Sequence, residues 1–145
     1  MVDDQNNFDE AREALEDGLE AGLVNLHDES LDRLDKNMRR GKDALGNPWA
    51  PLQESTIRAK GHDTPLIETR TLLSDLMATS QVYRSELVAV IGSTLDYLVH
   101  HEFGAPEAGI PARPVLGPVA QYAEQRAPEV IGTEIDTRLE QAEVD

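Results

Sequence analysis

The chain has 145 residues, a length that suits one domain with a modest hydrophobic core. It contains no cysteine, which excludes disulfides, zinc–thiolate sites and thiol nucleophiles. Its 28 acidic and 13 basic residues give a net charge of −15, which argues against nucleic-acid binding because phosphate binding rests on lysine and arginine.

The sequence has no signal-peptide pattern and no apolar run near the ~18 residues that span a bilayer, so we expect neither secretion by that route nor a membrane protein. Only three of the basic residues are lysines. An acid-rich, lysine-poor folded surface is typical of proteins from salt-loving organisms, because strong screening makes high charge density tolerable. A halophilic source is one interpretation, and an ordinary acidic protein is the other.

Apolar residues recur at three- and four-residue steps in the first part of the chain and predict a long amphipathic helix. These residues are Phe8, Ala11, Leu15, Leu19, Leu23, Leu26, Leu34 and Met38. Gly41 is the expected stop. An unbroken helix would run ~45 Å, longer than such a domain needs, so part of it would project or pack on another subunit. The alternative is a break near Gly22 or around residues 25–28.

Residues 42–65 lack a sustained period and predict an ordered loop with one helical turn near residues 55–60. The charge changes sign here, since residues 36–60 carry six basic and two acidic side chains. We call the six basic residues the basic segment: Lys36, Arg39, Arg40, Lys42, Arg58 and Lys60. They would meet either an acidic surface of a partner or neighbouring subunit, or acids of the same chain.

The remaining patterns alternate between helix and strand. They predict a helix over residues 66–79, a hairpin of residues 81–84 and 87–92, a short helix over 95–103 ended by Gly104, a proline-rich loop over 105–118 and a last helix over 119–144. The second strand is apolar on both faces, so we expect it to be buried. Pro128 marks a kink or a restart in the last helix.

The predicted fold class is therefore α+β, with a long N-terminal helix, a small antiparallel sheet containing a β-hairpin, and a C-terminal helix packed on it. We expect a single domain over residues 1–145. Its parts are the N-terminal helix (1–41), an α+β core (42–118) and the C-terminal helix (119–145).

Histidines offer the sequence's one candidate for metal or acid–base chemistry: His62, His100 and His101, with Glu102. Neighbouring residues on a helix point about 100° apart, so His100 and His101 do not face one metal easily. There is no nucleophile elbow, phosphate-cradling glycine loop or dinucleotide fingerprint. We expect no catalytic residue, no cofactor and no metal.

Three motif segments remain distinctive. They are Gly-Asn-Pro-Trp-Ala-Pro-Leu from Gly46, Leu-Asp-Tyr-Leu-Val-His-His-Glu-Phe-Gly from Leu95, and Ile-Pro-Ala-Arg-Pro-Val-Leu-Gly from Ile110. In this order the chain resembles the phage virion morphogenesis family, the tail-completion proteins of tailed phages similar to that of phage Mu. Arg70, Leu98 and Val115 stand where that family usually has glycine, alanine and phenylalanine.

The resemblance implies a structural virion protein of the neck or tail that joins or completes the head–tail interface and is assembled in the host cytoplasm. It implies a ring of six copies whose partners are the head connector or neck proteins and the tail tube protein. From the charge of the chain, we expect that DNA could pass through a negative lumen without specific binding. The alternative is an acidic soluble binding or regulatory protein that engages a basic partner. A hydrolase using His100, His101 and Glu102 is a more distant one.

The candidate site residues are structural or interfacial. Trp49 would anchor its loop in the core or act as an interface hot spot. Arg113, between two prolines, would bond within its own chain or contact a subunit. Tyr97, His101 and Phe103 would pack the short helix against the proline-rich loop. Arg39 and Arg40 would contact the acidic helix of a neighbouring subunit.

Overall fold

A computed structural model describes residues 4–50, 70–96 and 98–144. Its elements are α1 (Asp4–Met38), α2 (Arg70–Thr79), β1 (Gln81–Tyr83), β2 (Val88–Val90), α3 (Leu98–Phe103) and α4 (Leu116–Val144), with 3₁₀ turns at Arg84–Glu86 and Pro106–Ala108. The predicted α+β fold class is confirmed. The helical turn expected near residues 55–60 lies outside the described residues.

Helix α1 runs unbroken for 35 residues, about 50 Å at 1.5 Å per residue. It ends in a turn in which Gly41 has a φ of +70°, and the carbonyl of Asn37 accepts hydrogen bonds from the N–H groups of Arg40 and Lys42. Gly41 is thus the stop that the sequence predicts, because the left-handed backbone there suits a residue without a Cβ.

Helix α4 lies antiparallel along α1. Glu29 pairs with Arg126 at one end of the contact, and Gly18 faces Ile135 at the other. A Cβ built on Gly22 would lie 2.7 Å from the Cα of Ile131, so the two backbones approach closely. Gly22 is therefore a contact point, and the helix continues unbroken through it and through residues 25–28, where a break was the alternative.

The buried stripe of α1 differs in its first half from the predicted one. It follows four-residue steps through Ala14, Gly18, Gly22, Leu26, Ser30, Leu34 and Met38. Phe8, 70% exposed, and Leu15, 43% exposed, lie outside it. Ala11 is exposed as well, so the prediction was wrong at three positions. Helices that pack backbone to backbone bury small residues along the contact and leave longer ones such as Phe8 and Leu15 at the flanks.

The hydrophobic core lies near the C-terminal end of α1. It combines side chains from the end of α1, the following loop, α2, α3 and the start of α4: Leu34, Met38, Ala44, Trp49, Leu72, Leu73, Leu76, Leu98, Val115 and Val119. This arrangement places the three motif segments around one core.

Strands β1 and β2 form an antiparallel hairpin that packs on α1 and pairs Val82 with Ala89. Val82 and Ala89 are half-buried, while Val88 and Val90 on the opposite face are 44% and 41% exposed. The expectation of a buried second strand was wrong, because this two-stranded sheet has one face covered and the other open.

Helix α4 begins at Leu116, three residues before the predicted start, and continues through Pro128 to Val144. Of the kink or restart predicted at Pro128, the restart does not occur, because one helix continues through this residue. Across the described ranges, no helix combines the length and apolarity that a membrane span requires.

Candidate functional site

Trp49 joins the first motif segment to the third. Its ring is buried in the core, and its indole Nε1 donates a 2.9 Å hydrogen bond to the carbonyl of Pro114. The bond satisfies the only polar atom of a large apolar side chain, as burial of tryptophan requires. Of the two roles considered for Trp49, the structure therefore shows the core anchor of its loop.

Arg113 holds all three motif segments together. Its side-chain Nε donates to the carbonyl of Ala50 at 2.9 Å, and its backbone N–H donates to the carbonyl of His101 at 2.6 Å. The side chain is buried, and this burial lowers the pKa of its guanidinium from the ordinary value. Arg113 thus makes the internal bonds that were one of its two expected roles.

Glu102 caps the start of α4. Its carboxylate accepts hydrogen bonds from the N–H groups of Val115 at 2.5 Å, Leu116 at 2.9 Å and Gly117 at 2.7 Å. The first N–H groups of a helix have no partner within the helix and carry the positive end of its dipole, so a carboxylate there is doubly favoured. We call the contact in which Trp49, Glu102 and Arg113 bond the three motif segments to one another the motif junction.

The loop between α3 and α4 is held in a tight fold. The backbones of Ala105 and Ile110 exchange two hydrogen bonds, of 2.8 and 3.0 Å. Gly104 has a φ of +72°, and a Cβ on it would lie 2.7 Å from the amide nitrogen of Ala112. A glycine is needed there on both grounds.

A second group of hydrogen bonds joins α2 to the segment after β2. The carboxylate of Asp75 accepts hydrogen bonds from the hydroxyl of Ser93, and from the N–H and hydroxyl of Thr94 at 2.7 and 2.8 Å. These bonds, that from Ser93 foremost, lower the pKa of Asp75. Asp75 thus ties the hairpin's end to the core helix.

A charged network fixes the register of α1 against α4. Arg126 donates to both carboxylate oxygens of Glu29, at 2.8 and 3.0 Å, and the hydroxyl of Tyr122 donates to Glu29 at 3.1 Å. The hydrogen bond from Arg126 lowers the pKa of Glu29, and burial together with Glu29 raises the pKa of Tyr122. The guanidinium of Arg33 lies 5.5 Å from the centre of the Tyr122 ring.

Beyond the hairpin, α1 and α4 continue side by side as an acidic helical arm, which we define as residues 4–19 and 134–144. The arm carries ten acidic and two basic side chains. None of the core residues belongs to it. The arm therefore extends a strongly negative surface away from the motif junction.

The described part of the basic segment, from Lys36 to Lys42, lies at the opposite end of α1. Within the described residues, Lys36 pairs with Asp32 at 2.8 Å and Arg39 pairs with Asp35 at 3.0 Å, each one helical turn away. Arg40 and Lys42 are exposed. Ion pairs within the chain thus engage two of the basic side chains, Lys36 and Arg39. Arg58 and Lys60 lie outside the described residues.

Phe103 does not pack as expected, since it is 76% exposed. Helix α3 has six residues and buries Leu98. Five residues further on, at about 100° per residue, Phe103 points well away from Leu98 and cannot reach the same core. Phe103 instead forms one wall of an open groove of about 520 Å³ along the following loop. Tyr97 lies outside the described residues.

The histidines form no metal site in the structure as described. His101 accepts the Arg113 bond through its backbone carbonyl, and His100 is exposed. Among the described residues, no group of three histidine or carboxylate side chains is arranged to hold a metal ion. His62 lies outside them.

Sequence analysis did not identify Glu102, Glu29, Asp75 or the two glycines of α1 in these roles. The four-residue spacing of Gly18 and Gly22 was a usable signal for close helix packing. No sequence signal marked the capping role of Glu102, because its partners are backbone N–H groups thirteen to fifteen residues away.

Comparison with known proteins agrees with the motif segments. The sequence model of the phage virion morphogenesis family matches residues 11–136. An uncharacterized protein of Methanocaldococcus jannaschii is 26% identical over 110 residues, which cover 73% of this chain and 82% of that protein. No solved structure matches the chain.

Proposed function

Because the chain belongs to the phage virion morphogenesis family, we propose that it is a structural protein of the neck or tail of a tailed virus. In this role it joins or completes the head–tail interface and has no catalytic activity of its own. It is assembled into the particle in the host cytoplasm.

The family match over residues 11–136 carries this proposal. The motif junction supports it, because Trp49, Glu102 and Arg113 are engaged in hydrogen bonds that hold loops together. Buried side chains that already bond to main-chain groups are suited to a rigid scaffold.

We propose further that six copies form a ring between the head connector and the tail tube, which are the partners of the two ring faces. Closed rings use heterologous contacts, in which one face of a subunit meets a different face of the next. The acidic helical arm and the described part of the basic segment lie at opposite ends of α1, with Leu15 and Lys36 about 32 Å apart along the helix. Opposite charges at the two ends favour a head-to-tail contact.

The acidic surface also suits a lumen that DNA traverses. Phosphates are repelled by carboxylates, so a negative lumen would let the genome slide without specific binding. No base-reading surface is needed in this role.

The first experiment measures the solution mass of the purified protein at multimolar salt, alone and mixed with candidate neck and tail tube proteins. A ring, or a monomer that closes into one when a partner is added, is the expected result. A stable monomer that ignores these partners would refute the joining role.

Arg39→Glu combined with Arg40→Glu tests the charged contact. We expect this variant to oligomerise less than the parent at the lowest salt at which both stay folded, because two attractions become repulsions. The matched control replaces Arg12 and Arg138 on the acidic arm with glutamate and changes net charge equally. If the two double variants form oligomers of the same mass in solution, the proposed charged contact between subunits is wrong.

The acidic arm also favours a second candidate function, that of a soluble binding protein for a basic partner. Such a protein would bind a basic protein as a monomer or dimer and would show no response to neck or tube proteins. The same mass measurement separates the two functions.

A further inference from the structure

Two apolar surfaces of the chain remain uncovered by its own described residues. The first, which we call the hairpin knob, consists of Tyr83, Leu87, Val88 and Val90. The second, which we call the loop groove, lies along the loop after α3 and is lined by Phe103, Pro106, Gly109, Ile110, Pro111 and Ala112, with Arg113 at its base. We propose that the hairpin knob of one copy docks in the loop groove of the next copy, with Leu87 inserted.

The knob is built to present its side chains. Tyr83 pairs with Val88 across the hairpin, so both side chains lie on the face that points away from α1. Leu87 at the tip has a φ of +55° and a ψ of +47°, a left-handed backbone that costs a leucine conformational energy. Strained backbone conformations cluster at functional sites, so this one points to a use for the Leu87 side chain.

The groove is shaped in advance of binding. The paired backbones of Ala105 and Ile110 and the positive φ of Gly104 and Gly109 set the course of the loop. The buried Arg113 then fastens the loop to the motif junction. A preformed apolar groove loses little conformational entropy when a side chain enters it.

Charges beside the two surfaces are complementary. Arg84 adjoins the knob; its guanidinium is well exposed, and its ion pair within the described residues is a long one, 3.9 Å to Glu20. Glu107 adjoins the groove and is exposed. From residue 96 to residue 112 the chain carries neither lysine nor arginine. Of its three acids, Glu102 is bonded to the start of α4, which leaves Asp96 and Glu107. Docking of Leu87 would therefore bring the exposed guanidinium of Arg84 towards the exposed carboxylate of Glu107, which favours one orientation.

The knob and the groove are different surfaces of one chain, so their contact is heterologous and propagates from copy to copy. This inference rests on the proposed ring and names the apolar part of its subunit contact. A second copy is the occupant that supplies both the apolar tip and the matching charge.

Disulfide trapping tests the contact directly, because the chain has no cysteine of its own. A Leu87→Cys chain and an Ile110→Cys chain of different mass are mixed and oxidised under assembly conditions. We expect the mixed disulfide to exceed, severalfold, that formed by Leu15→Cys with Ile110→Cys, since Leu15 is equally exposed but lies on the arm. Equal yields of the two mixed disulfides would overturn the proposal.

A charge exchange provides the second test. Arg84→Glu and Glu107→Arg should each weaken self-association, measured by sedimentation, by roughly fivefold to tenfold, and the two together in one chain should restore it. The lost contact with Glu20 cannot be repaired by changing Glu107, so rescue reports on the proposed pair alone. Absence of rescue would overturn the docking arrangement.

The two proposals can fail separately. If the parent protein forms a ring that neither cysteine trapping nor charge exchange connects to the knob and groove, the docking is wrong and the joining role stands. If the parent protein neither forms a ring nor responds to neck and tube proteins, the joining role is refuted and the docking with it.

Discussion

Replacing Gly22 with alanine tests the backbone-to-backbone packing of α1 on α4. The added Cβ would lie 2.7 Å from the Cα of Ile131 and 3.1 Å from its Cβ, both closer than the 3.4 Å at which ordinary contact begins. The helices must therefore separate by several tenths of an ångström. Overpacking of this kind costs ~1–3 kcal/mol, and alanine returns up to ~1 kcal/mol through its helix propensity. We expect a net loss of about 1–2 kcal/mol and a melting temperature lower by about 2–8 °C.

Gly132→Ala is the matched control. Gly132 is next to Ile131 in α4, but nothing lies within 4 Å of a Cβ built on it. Alanine there should stabilise the protein by up to ~1 kcal/mol. Urea unfolding followed through the single buried tryptophan, Trp49, measures both variants. If Gly22→Ala proves as stable as Gly132→Ala, the close approach of the helices is incorrect.

Three further predictions concern charge. Because Arg126 lowers the pKa of Glu29 from 4.5, the ionised Glu29 stabilises the fold above about pH 4.5, and this contribution is lost as the pH falls towards the lowered pKa. Glu29→Gln should thus narrow the difference between urea midpoints at pH 7 and pH 3, and an unchanged difference would contradict the pairing. Glu102→Ala should cost ~1–2 kcal/mol by uncapping α4, and Glu102→Gln less, since an amide oxygen still accepts. If the source is halophilic, the unfolding midpoint should rise steeply from low to multimolar salt, whereas undiminished stability at low salt would favour an ordinary acidic protein.

The first helix shows how far a periodic pattern can be taken. Its length and its stop at Gly41 followed from apolar spacing and glycine chemistry. The buried face of its first half did not, because a search for large apolar residues selects Phe8 and Leu15. Close helix pairs bury small residues instead, so Gly18 and Gly22 carried the information that the hydrophobic pattern obscured.

Exposure was harder to predict than secondary structure. The hairpin was expected from its β-prone residues, yet Val88 and Val90 lie on an open face. Whether a strand is covered on one side or two depends on how many strands and helices pack around it, and no local pattern records that number. Phe103 was misjudged for the same reason, since α3 is too short to turn it towards the core.

For the motif junction, the sequence identified two of the side chains but not the atoms to which they bond. Trp49 and Arg113 stand out by residue type, but their partners are the carbonyls of Pro114, Ala50 and His101. Main-chain atoms have no side-chain signature, so only folding reveals which carbonyl lies within reach. Glu102 is the converse case, a surface-type residue whose partners are the N–H groups of a helix start.

The hydrogen bonds of the motif junction all join parts of the same chain, and this decides which variants can report on assembly. Trp49, Glu102 and Arg113 hold loops of one chain together, so replacing them would damage the fold itself. Loss of assembly in such variants would say nothing about the contact between subunits. The informative variants are therefore those that replace exposed residues such as Arg40 and Leu87. Their replacement should leave the unfolding midpoint unchanged and alter the mass of the oligomer in solution.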